Sequence, residues 1–423
     1  MHPTQLPGQA RSRWIILALL FLISVVTYLD RVNISVAARQ MMPALGLTDL
    51  QMGQVFSAFV VGYALFQIPG GWLGDRWGSR LVLTAAVVWW SVFTAMTAVA
   101  ATLPVAELVG VLGALIGVRF LIGVGEAAAL PNFNRTVADR LKPHERGLGI
   151  GIAIGGIGVG SAIAPPLTAW IMVNYGWQTA FYAAGGIGLL VAGLWYGCSA
   201  DRPAAQSRSE PEPAVPWRRF ARTPTVWWLV ASYSCLGYVA YIYMSWFYLY
   251  LVNVRDFDLL RGAWYASAPF LAMAVLCPLG GWATDRLSAA RGIDQGRRFV
   301  GAAGMGLAAL AVVLGAYSDS PFLAILLLSL GAGFLYFTVG AYWSCTSDLS
   351  TTHAGTLSGL MNTGANIGGS LSPVLTPWLA GQIGWAGALG FAALVALIGG
   401  LMWVRISPAG GLRSGHEVGT VSL

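Results

Sequence analysis

The sequence predicts an all-α integral membrane protein with twelve transmembrane helices in two six-helix bundles related by a pseudo-two-fold axis. The first observation is composition: 57% of the 423 residues are hydrophobic and 10% are charged, with a mean hydropathy of +0.67. Soluble domains carry about 25% charged residues. The other two observations are a series of twelve apolar windows and a repeat that relates the two halves of the chain.

Each window is bounded by charges, glycine or proline and is long enough to cross a bilayer, for which about 20 residues suffice. The first window begins at Trp14, after a short basic tail. It is too long for a signal peptide and has no small-residue cleavage site, so we expect an uncleaved first span. The twelve windows, numbered here as spans 1 to 12, lie near residues 14–36, 53–73, 82–102, 108–131, 147–173, 178–198, 225–252, 262–283, 298–317, 321–346, 355–380 and 384–404.

The longest polar break falls at the middle of the chain, between spans 6 and 7. It is rich in proline and charge and has no apolar period, so it is predicted to be a flexible cytoplasmic linker. The predicted organisation is an N-terminal cytoplasmic tail, a first bundle, the linker, a second bundle and a C-terminal cytoplasmic tail. Their respective ranges are 1–13, 14–198, 199–224, 225–404 and 405–423.

A duplication crosses this linker. The segment Gly70-Gly71-Trp72, followed by Asp75-Arg76, recurs 210 residues later, and span 5 recurs in span 11 at an offset of 208. In span 5 and the residues after it, ten positions match in one register, including a proline and two tryptophans. Because six spans separate the copies, both halves enter the membrane in the same direction, which is typical of a parallel repeat.

The basic residues are distributed unequally between the two sides of the membrane. Nineteen of the 24 Lys and Arg fall in the tails and loops of one side, and only Arg39, Arg255 and Arg261 fall on the other. By the positive-inside rule both termini are cytoplasmic, which requires an even number of spans. Topology therefore explains the net charge of +7, and we expect no nucleic-acid partner.

Span 4 carries a cation and an anion inside an apolar run. Arg119 and Glu126 are seven residues apart, so they lie on one helical face about 10 Å apart along the axis. Gly123 lies on the same face and allows another group to approach the backbone. A charge at bilayer depth costs about 2.5–3.5 kcal/mol. The pair is therefore either a buried ion pair that only holds helices together or a charged site that binds a transported solute.

Span 1 ends in a second polar group, which contains Tyr28, Asp30, Arg31 and Asn33. Adjacent residues on a helix point about 100° apart, so Asp30 and Arg31 face different neighbours. One of the two could pair with Arg119 while the other faces a cavity. The alternative is that this group is only the polar end of the span.

Other classes of site have little support in the sequence. The four cysteines are isolated and the four histidines fall in loops or tails, so we expect neither a metal site nor a disulfide framework. No strand precedes the glycine runs and no P-loop lysine follows them, so they do not bind nucleotides. We expect no cofactor and no enzyme activity.

Several of these motifs resemble a known family. The stretch 71–80 is similar to the signature loop of the major facilitator superfamily. The stretches 28–33, 119–128 and 359–369 are similar to the anion:cation symporters within it, which include bacterial galactonate, glucarate and hexuronate transporters. Span 7 departs from the pattern, because Phe247 rather than a proline follows its tryptophan.

The resemblance implies functional roles for the charged residues. It implies that Arg31 contacts the carboxylate of the substrate, that Asp30 and Glu126 take part in protonation, and that Arg119 couples the two events. Tyr28 belongs to the same span 1 motif, and the family cavity commonly has a tyrosine at the position of Tyr63. An interhelical hydrogen bond remains an equal alternative for Tyr63 and for Gln67, which lies one helical turn further along.

Span 11 contributes two amides, Asn362 and Asn366. Their counterparts in the repeat are Ile154 and Gly158, so the scaffold does not require amides there. Buried polar groups in a membrane need partners, and we expect these amides to face a substrate cavity. Ser344 and Thr346 in span 10 are further substrate-binding candidates, and interhelical hydrogen bonding is an equal alternative for them.

The charged loops that follow spans 2 and 8 are predicted to act as a conformational gate, in which salt bridges near helix ends hold the two halves closed. Ordinary positive-inside anchoring is the alternative. The predicted gate residues are Asp75, Arg76, Arg80, Asp285 and Arg286.

These inferences, combined with the resemblance, predict a proton-coupled symporter that imports a small organic anion by alternating access. The substrate class expected is a sugar acid, meaning an aldonate, an aldarate or a hexuronate. The expected location is the bacterial inner membrane, and the expected partners are the anion, protons and lipid, with the protein a monomer. An aromatic or dicarboxylic acid substrate and a membrane sensor that does not transport are the alternatives.

Overall fold

The computed structural model describes residues 7–141, 146–199, 217–350 and 353–408, and within these ranges helix is the only regular secondary structure. Most of the predicted linker and parts of both predicted tails lie outside these ranges, as does the side chain of Asp75. The first half contains α1 (Pro7–Leu45), α2 (Asp49–Trp77), α3 (Ser79–Thr97), α4 (Pro104–Glu126), α5 (Ala129–Arg140), α6 (Arg146–Tyr175) and α7 (Trp177–Cys198).

The second half contains helices that break within several predicted spans. They are α8 (Trp217–Arg222), α9 (Pro224–Ser245), α10 (Phe247–Asn253), α11 (Leu259–Ala266), α12 (Ala268–Arg291), α13 (Ile293–Ala316), α14 (Pro321–Phe337), α15 (Val339–Leu349) and α16 (Ala354–Met402). One of the breaks falls at Trp246, between α9 and α10, although no proline follows it.

The all-helical membrane fold is confirmed. In the described ranges, eleven helical segments are long and apolar enough to cross a membrane. The last of them has 52 residues, which at 1.5 Å per residue is about 78 Å and roughly twice the thickness of a bilayer. Gly384 divides it with φ 74°, a conformation that favours glycine. Its counterpart in the repeat, Gly176 with φ 86°, separates α6 from α7, so counting two spans at Gly384 gives the twelve predicted.

Helix α1 is longer than the sequence predicted. It continues to Leu45 instead of ending near residue 36, and the segment that can span the membrane runs from Arg13 to Leu45. The residues after Asn33 include three Ala and two Met, which extend a helix at little cost. Asp30 and Arg31 therefore lie near the middle of a membrane-spanning helix and not at its polar end.

The chain divides into two units. The first contains α1 to α7 together with Met244–Ser267 and Pro373–Trp378, and the remaining helices form the second. In the first unit α1 packs on α6, α2 on α4 and α3 on α7, while in the second α14 packs on both α12 and α13. Side-chain contacts of Arg31 in α1 with Glu126 of α4 and with Phe59 and Tyr63 of α2 bring the charged residues of spans 1 and 4 together in the first unit.

Trp246 fixes the added segments within the first unit. Its indole nitrogen donates a hydrogen bond to the carbonyl of Pro373 at 3.0 Å. Its ring meets the ring of Phe56 edge-on, with 5.4 Å between the centroids. Both segments lie in the range that the sequence assigned to the second bundle.

Candidate functional site

Arg31 of α1 and Glu126 of α4 form a buried ion pair. The Arg31 Nε lies 2.7 Å from Glu126 Oε2, and the two side chains are 7% and 0% exposed. A charge-assisted hydrogen bond of this length is among the stronger polar contacts in proteins. The sequence raised a pairing of one span 1 charge with Arg119, but it did not predict that Arg31 pairs with Glu126.

Three aromatic rings surround the Arg31 guanidinium. Its central carbon lies 4.7 Å from the ring centroid of Tyr28, 5.0 Å from that of Phe59 and 4.5 Å from that of Tyr63. The Tyr28 hydroxyl is also 3.5 Å from Arg31 Nη1. A guanidinium is attracted to the face of an aromatic ring, most strongly where water is excluded. The rings therefore stabilise a cation that has lost most of its hydration.

Arg119 contacts the same phenyl ring from α4. Its guanidinium carbon lies 5.0 Å from the Phe59 centroid. Its side chain is buried, and its Nε has no hydrogen-bond partner among the described residues. Gly123 allows this approach, as the sequence predicted, because a Cβ there would collide with the backbone carbonyl of Phe59.

Asp30 is buried without a hydrogen-bond partner for either carboxylate oxygen in the described part of the chain. The groups that act on it most closely are Glu126, Arg119 and the indole of Trp90. Among the described residues, the Trp90 nitrogen likewise has no partner within hydrogen-bonding distance. Burying a polar group without a hydrogen-bond partner costs roughly 2–7 kcal/mol, depending on the solvent taken as the reference. The site thus holds an acceptor that a proton or a polar ligand would satisfy.

A small pocket opens beside the ion pair within the first unit. Its free space is that of about one water molecule. It is lined by Ser24, Thr27, Tyr28, Arg31, Glu126, Ala129, Leu130, Phe133 and Ile157. Arg31 and Glu126 are its two charged residues, so the pocket places a water-sized space beside the ion pair.

The chemistry open to this arrangement follows from its charges. An anion that binds Arg31 competes with Glu126 for one guanidinium. The displaced carboxylate then needs a new positive partner, which can be another cation or a proton. The site can therefore couple the binding of an anion to the binding of a proton.

Tyr63 and Gln67 interact within α2. The Gln67 amide donates a hydrogen bond to the Tyr63 hydroxyl at 3.4 Å. The ring of Tyr63 faces Arg31, so Tyr63 lies beside the Arg31–Glu126 pair.

The substrate-binding candidates of the second half lie in the second unit. Asn366 is buried, whereas Asn362 and Ser344 are half-buried. The Thr346 hydroxyl donates to the Trp343 carbonyl and lies 2.7 Å from the Ser358 hydroxyl, which links α15 to α16. This is the interhelical hydrogen bond that the sequence left open as the alternative for Thr346.

Three of the predicted gate residues pack locally. Arg80 of α3 donates to the carbonyl of Tyr196 in α7 at 2.7 and 3.1 Å, and its guanidinium lies 4.3 Å from the Tyr196 ring. Arg76 lies over the ring of Trp72, and Arg286 repeats this contact over Trp282. The side chain of Asp75 is outside the described part of the structure.

Asp285 belongs to an ion-pair network in the second unit. Arg297 of α13 donates to Asp285 at 3.2 Å and to Asp348 of α15 at 3.0 Å. Its side chain is 10% exposed, whereas that of Asp285 is 78% exposed. Removing one partner at the buried end, Arg297 to Asp348, should therefore cost more stability than removing the exposed Asp285.

The contacts of Phe59 and Trp90 and the Arg297–Asp348 pair were not predicted from the sequence. Phe59 lies one helical turn before Tyr63, so the helical period of α2 could have placed it on the same face. Trp90 is one of many tryptophans in apolar windows, and the sequence does not distinguish it. Arg297 falls in a predicted loop, where the sequence marks it only as one of the basic residues that indicate topology.

Comparison with known proteins agrees with this geometry. The model of the Major Facilitator Superfamily matches residues 20–373 and, in a second match, residues 295–419. The chain is 34% identical to the probable sulfoacetate transporter SauU of Cupriavidus necator, over 88% of this chain and 89% of that protein. It is 30% identical to the D-galactonate transporter of Escherichia coli, over 96% of this chain and 97% of that protein.

A solved structure shares the fold. A bacterial homologue of the human lysosomal transporter Spinster superposes with a TM-score of 0.79 at 21% identity, over 93% of this chain and 96% of that one. The helix count, the parallel repeat and the family match lead to one assignment. The chain belongs to the major facilitator superfamily, a family of membrane transporters and not of enzymes.

Proposed function

We propose that the protein is a proton-coupled symporter that imports a small organic anion by alternating access. The observation that carries the proposal is the Arg31–Glu126 pair, which is buried between membrane-spanning helices and lines a small pocket. A cation at this depth is costly, so its presence favours a functional role over a structural one. The two carboxylates beside two arginines also provide the exchange of partners that proton coupling needs.

The substrate we propose is a sugar acid, with its carboxylate on Arg31 beside Tyr28 and Tyr63. Support comes from the relatives, one of which carries D-galactonate by its name. Asn362, Asn366 and Ser344 are proposed to bind the hydroxyl groups, and Thr346 is the weakest of the candidates because its hydroxyl is already engaged. The relative named for sulfoacetate keeps a smaller sulfonated acid as the main competitor.

The proposed location is the bacterial inner membrane with both termini in the cytoplasm. The support is the excess of Lys and Arg on one side of the predicted spans. Asp75, Arg76, Arg80, Asp285 and Arg286 are proposed to act at that side as a gate that opens and closes during transport.

Purified protein in sealed liposomes tests the proposal. The acids offered are D-galactonate, D-glucarate, a hexuronate and sulfoacetate, and the acid that raises the melting temperature most is then labelled. An inward proton gradient should concentrate this acid inside, and an uncoupler should abolish the accumulation. Accumulation that persists with the uncoupler would contradict proton coupling.

The variant Arg31→Ala should lose stabilisation by the acid, because no other group replaces the guanidinium that binds the carboxylate of the acid. Arg261→Ala is the matched control. The Arg261 side chain is 80% exposed, so its removal should leave stabilisation by the acid unchanged. Full stabilisation of Arg31→Ala by the acid would reject the role assigned to Arg31. Exchange of labelled for unlabelled acid in the same liposomes separates a transporter from a sensor.

A further inference from the structure

We infer that Trp90 of α3 is a positioning residue that donates its indole N–H to the Asp30 carboxylate once Asp30 has released its proton. The inference rests on the proposed function and extends it to a residue that carries no charge and does not line the pocket beside Arg31. It follows from a buried donor and a buried acceptor that lie near each other, each without a hydrogen-bond partner in the described chain.

Asp30 has no arginine that acts mainly on it. Arg31 is hydrogen-bonded to Glu126, and Glu126 is also the largest charge acting on Arg119, ahead of Asp30. The charge that acts most strongly on Asp30 is the like charge of Glu126. An ionised Asp30 at this position therefore needs a further hydrogen-bond donor, because a buried carboxylate is stabilised by donors aimed at its oxygens.

The indole of Trp90 is the uncharged group that acts on this carboxylate. Trp90 is completely buried, Gly125 of α4 packs against its backbone, and its Nε1 has no acceptor within hydrogen-bonding distance among the described residues. Both Asp30 oxygens lack a partner in the same part of the chain. A small movement of either side chain therefore forms one hydrogen bond that satisfies two buried groups.

Helix α7 holds the donor and the acceptor in place. Ser91, the residue after Trp90, packs its carbonyl against Gly185 of α7, where an added side chain would collide with it. Asn33, about one helical turn beyond the carboxylate on α1, donates a hydrogen bond to the Ala180 carbonyl of α7 at 3.3 Å. Since α1 and α3 are both fixed against the same helix, the indole and the carboxylate stay within reach of each other.

The neighbouring tryptophan shows that packing of the ring does not explain the position of the Trp90 N–H. Trp89 is 43% exposed, and its Nε1 donates to the Leu121 carbonyl at 2.8 Å. Adjacent residues on a helix point about 100° apart, so the two indoles face different surroundings. The exposed indole has a backbone acceptor, whereas the buried one lies beside a carboxylate.

The expected effect of this bond is on the proton of Asp30. A hydrogen bond to the ionised form of a carboxyl group favours that form, so Trp90 helps Asp30 release its proton. Helices α3, α6 and α7 carry no titratable side chain in the stretches 81–97, 147–174 and 183–195. The titratable and charged groups around Asp30 are Glu126 and Arg119 on α4, Tyr28 and Arg31 on α1, and Tyr63 on α2.

Trp90→Phe tests this account, because phenylalanine keeps an aromatic ring and removes the N–H. The measurement is the rise in melting temperature produced by D-galactonate, or by whichever offered acid stabilises the protein most, as a function of pH. Acid and proton bind together in a symporter, so this stabilisation declines at high pH as the carboxyl groups lose their protons. The midpoint of the decline should lie about one pH unit higher in Trp90→Phe, because a hydrogen bond to the ionised form is lost. The same comparison in a Glu126→Gln background leaves Asp30 as the carboxyl group of the site and should show the same shift.

Trp89→Phe is the matched control, since it makes the same change at the adjacent residue of the same helix. It should keep the midpoint of the wild type. If Trp90→Phe does not fold, benzothienylalanine at position 90 keeps both rings, replaces the N–H by sulfur and should show the same shift.

A structural role of the ring alone would lower the melting temperature without moving the midpoint. An unchanged midpoint in both backgrounds would therefore overturn the inference and leave the proposed function standing. Failure of the wild-type protein to accumulate any of the acids would overturn both.

Discussion

At the scale of single residues, the site combines a strong ion pair with unsatisfied groups. Arg31 has a carboxylate and three rings around it, whereas Asp30, its neighbour in sequence, has no hydrogen-bond partner in the described chain. Removing an ion pair's partner usually costs several kcal/mol, because the remaining charge is left buried. The site therefore favours exchange of partners over loss of one, and a bound anion offers such an exchange.

Glu126→Gln tests this exchange at the proposed proton site. The amide still accepts a hydrogen bond from Arg31, but it cannot take up a proton. We expect exchange of labelled acid across liposomes within about fivefold of wild type, with the gradient-driven accumulation ratio reduced at least about tenfold. The measurement is accumulation under an imposed proton gradient compared with exchange in its absence.

Glu107→Gln provides the control for that variant. Glu107 lies in the first turn of the same helix and is exposed, so its loss should leave accumulation unchanged. Normal concentrative uptake by Glu126→Gln would remove Glu126 from the proton path.

The residues of this site were predictable in part. Charges inside apolar windows identified Asp30, Arg31, Arg119 and Glu126, because a charge at that depth costs too much to be incidental. The partners were not predictable, since pairing depends on the rotation of each helix about its axis. The sequence left open which charge of span 1 pairs with Arg119, and the structure pairs Arg31 of that span with Glu126.

At the scale of helices, close backbone contacts set the positions of the charges. Gly156 of α6 packs against the carbonyl of Phe21 in α1, and Gly364 of α16 repeats this contact with Val230 in α9. Such approaches between membrane helices depend on small residues. The contact in the first unit fixes α1, which carries Asp30 and Arg31, against α6.

The variant Gly156→Ala tests this packing. Its methyl group would collide with the Phe21 carbonyl, and overpacking of this kind costs about 1–3 kcal/mol. We expect the melting temperature of the purified protein to fall by several degrees, measured by thermal unfolding in detergent.

Gly151→Ala is the matched control on the same helix. Gly151 is exposed, and no atom lies within contact distance of an added methyl group. Alanine is favoured over glycine in a helix by about 1 kcal/mol, so the melting temperature should stay constant or rise. An equal fall in both variants would argue against the close contact as the cause.

The apolar windows predicted which stretches form membrane-spanning helices, but they did not predict where those helices end. Span 1 was predicted to end near 36 because its apolar run ends there, whereas α1 continues to Leu45. Hydropathy reports the stretch that prefers lipid, and a helix can extend beyond it wherever its residues tolerate the conformation. The break at Trp246 was also missed, because its tertiary contacts with Phe56 and Pro373 are not encoded in any local pattern.

At the scale of the whole molecule, the repeat is visible in both sequence and structure. Gly176 and Gly384 are 208 residues apart in the repeat register, and both adopt positive φ between consecutive spans. The Arg–Trp contacts at residues 76 and 286 recur in the same way. Duplication fixes the number and direction of the helices, so the architecture was predictable even where individual boundaries were not.

Topology is tested by labelling single cysteines in a variant without the four native ones. Ser207→Cys in the linker is expected in the cytoplasm, and Asp319→Cys, exposed between α13 and α14, is expected outside it. A maleimide that does not cross membranes should label Asp319→Cys in intact cells and Ser207→Cys only after lysis. The reverse pattern would contradict the proposed orientation.

The pairing of Arg31 with Glu126 also has a consequence for biosynthesis. The two residues are 95 positions apart, and at about 5–20 residues per second a ribosome needs roughly 5–20 s to make the chain between them. During that interval α1 has left the ribosome without its counter-charge, and entry of an unpaired arginine into lipid costs about 2.5–3.5 kcal/mol. We therefore expect the nascent first helix to stay beside the translocon until the fourth helix arrives, so that assembly of the first unit ends with closure of this pair.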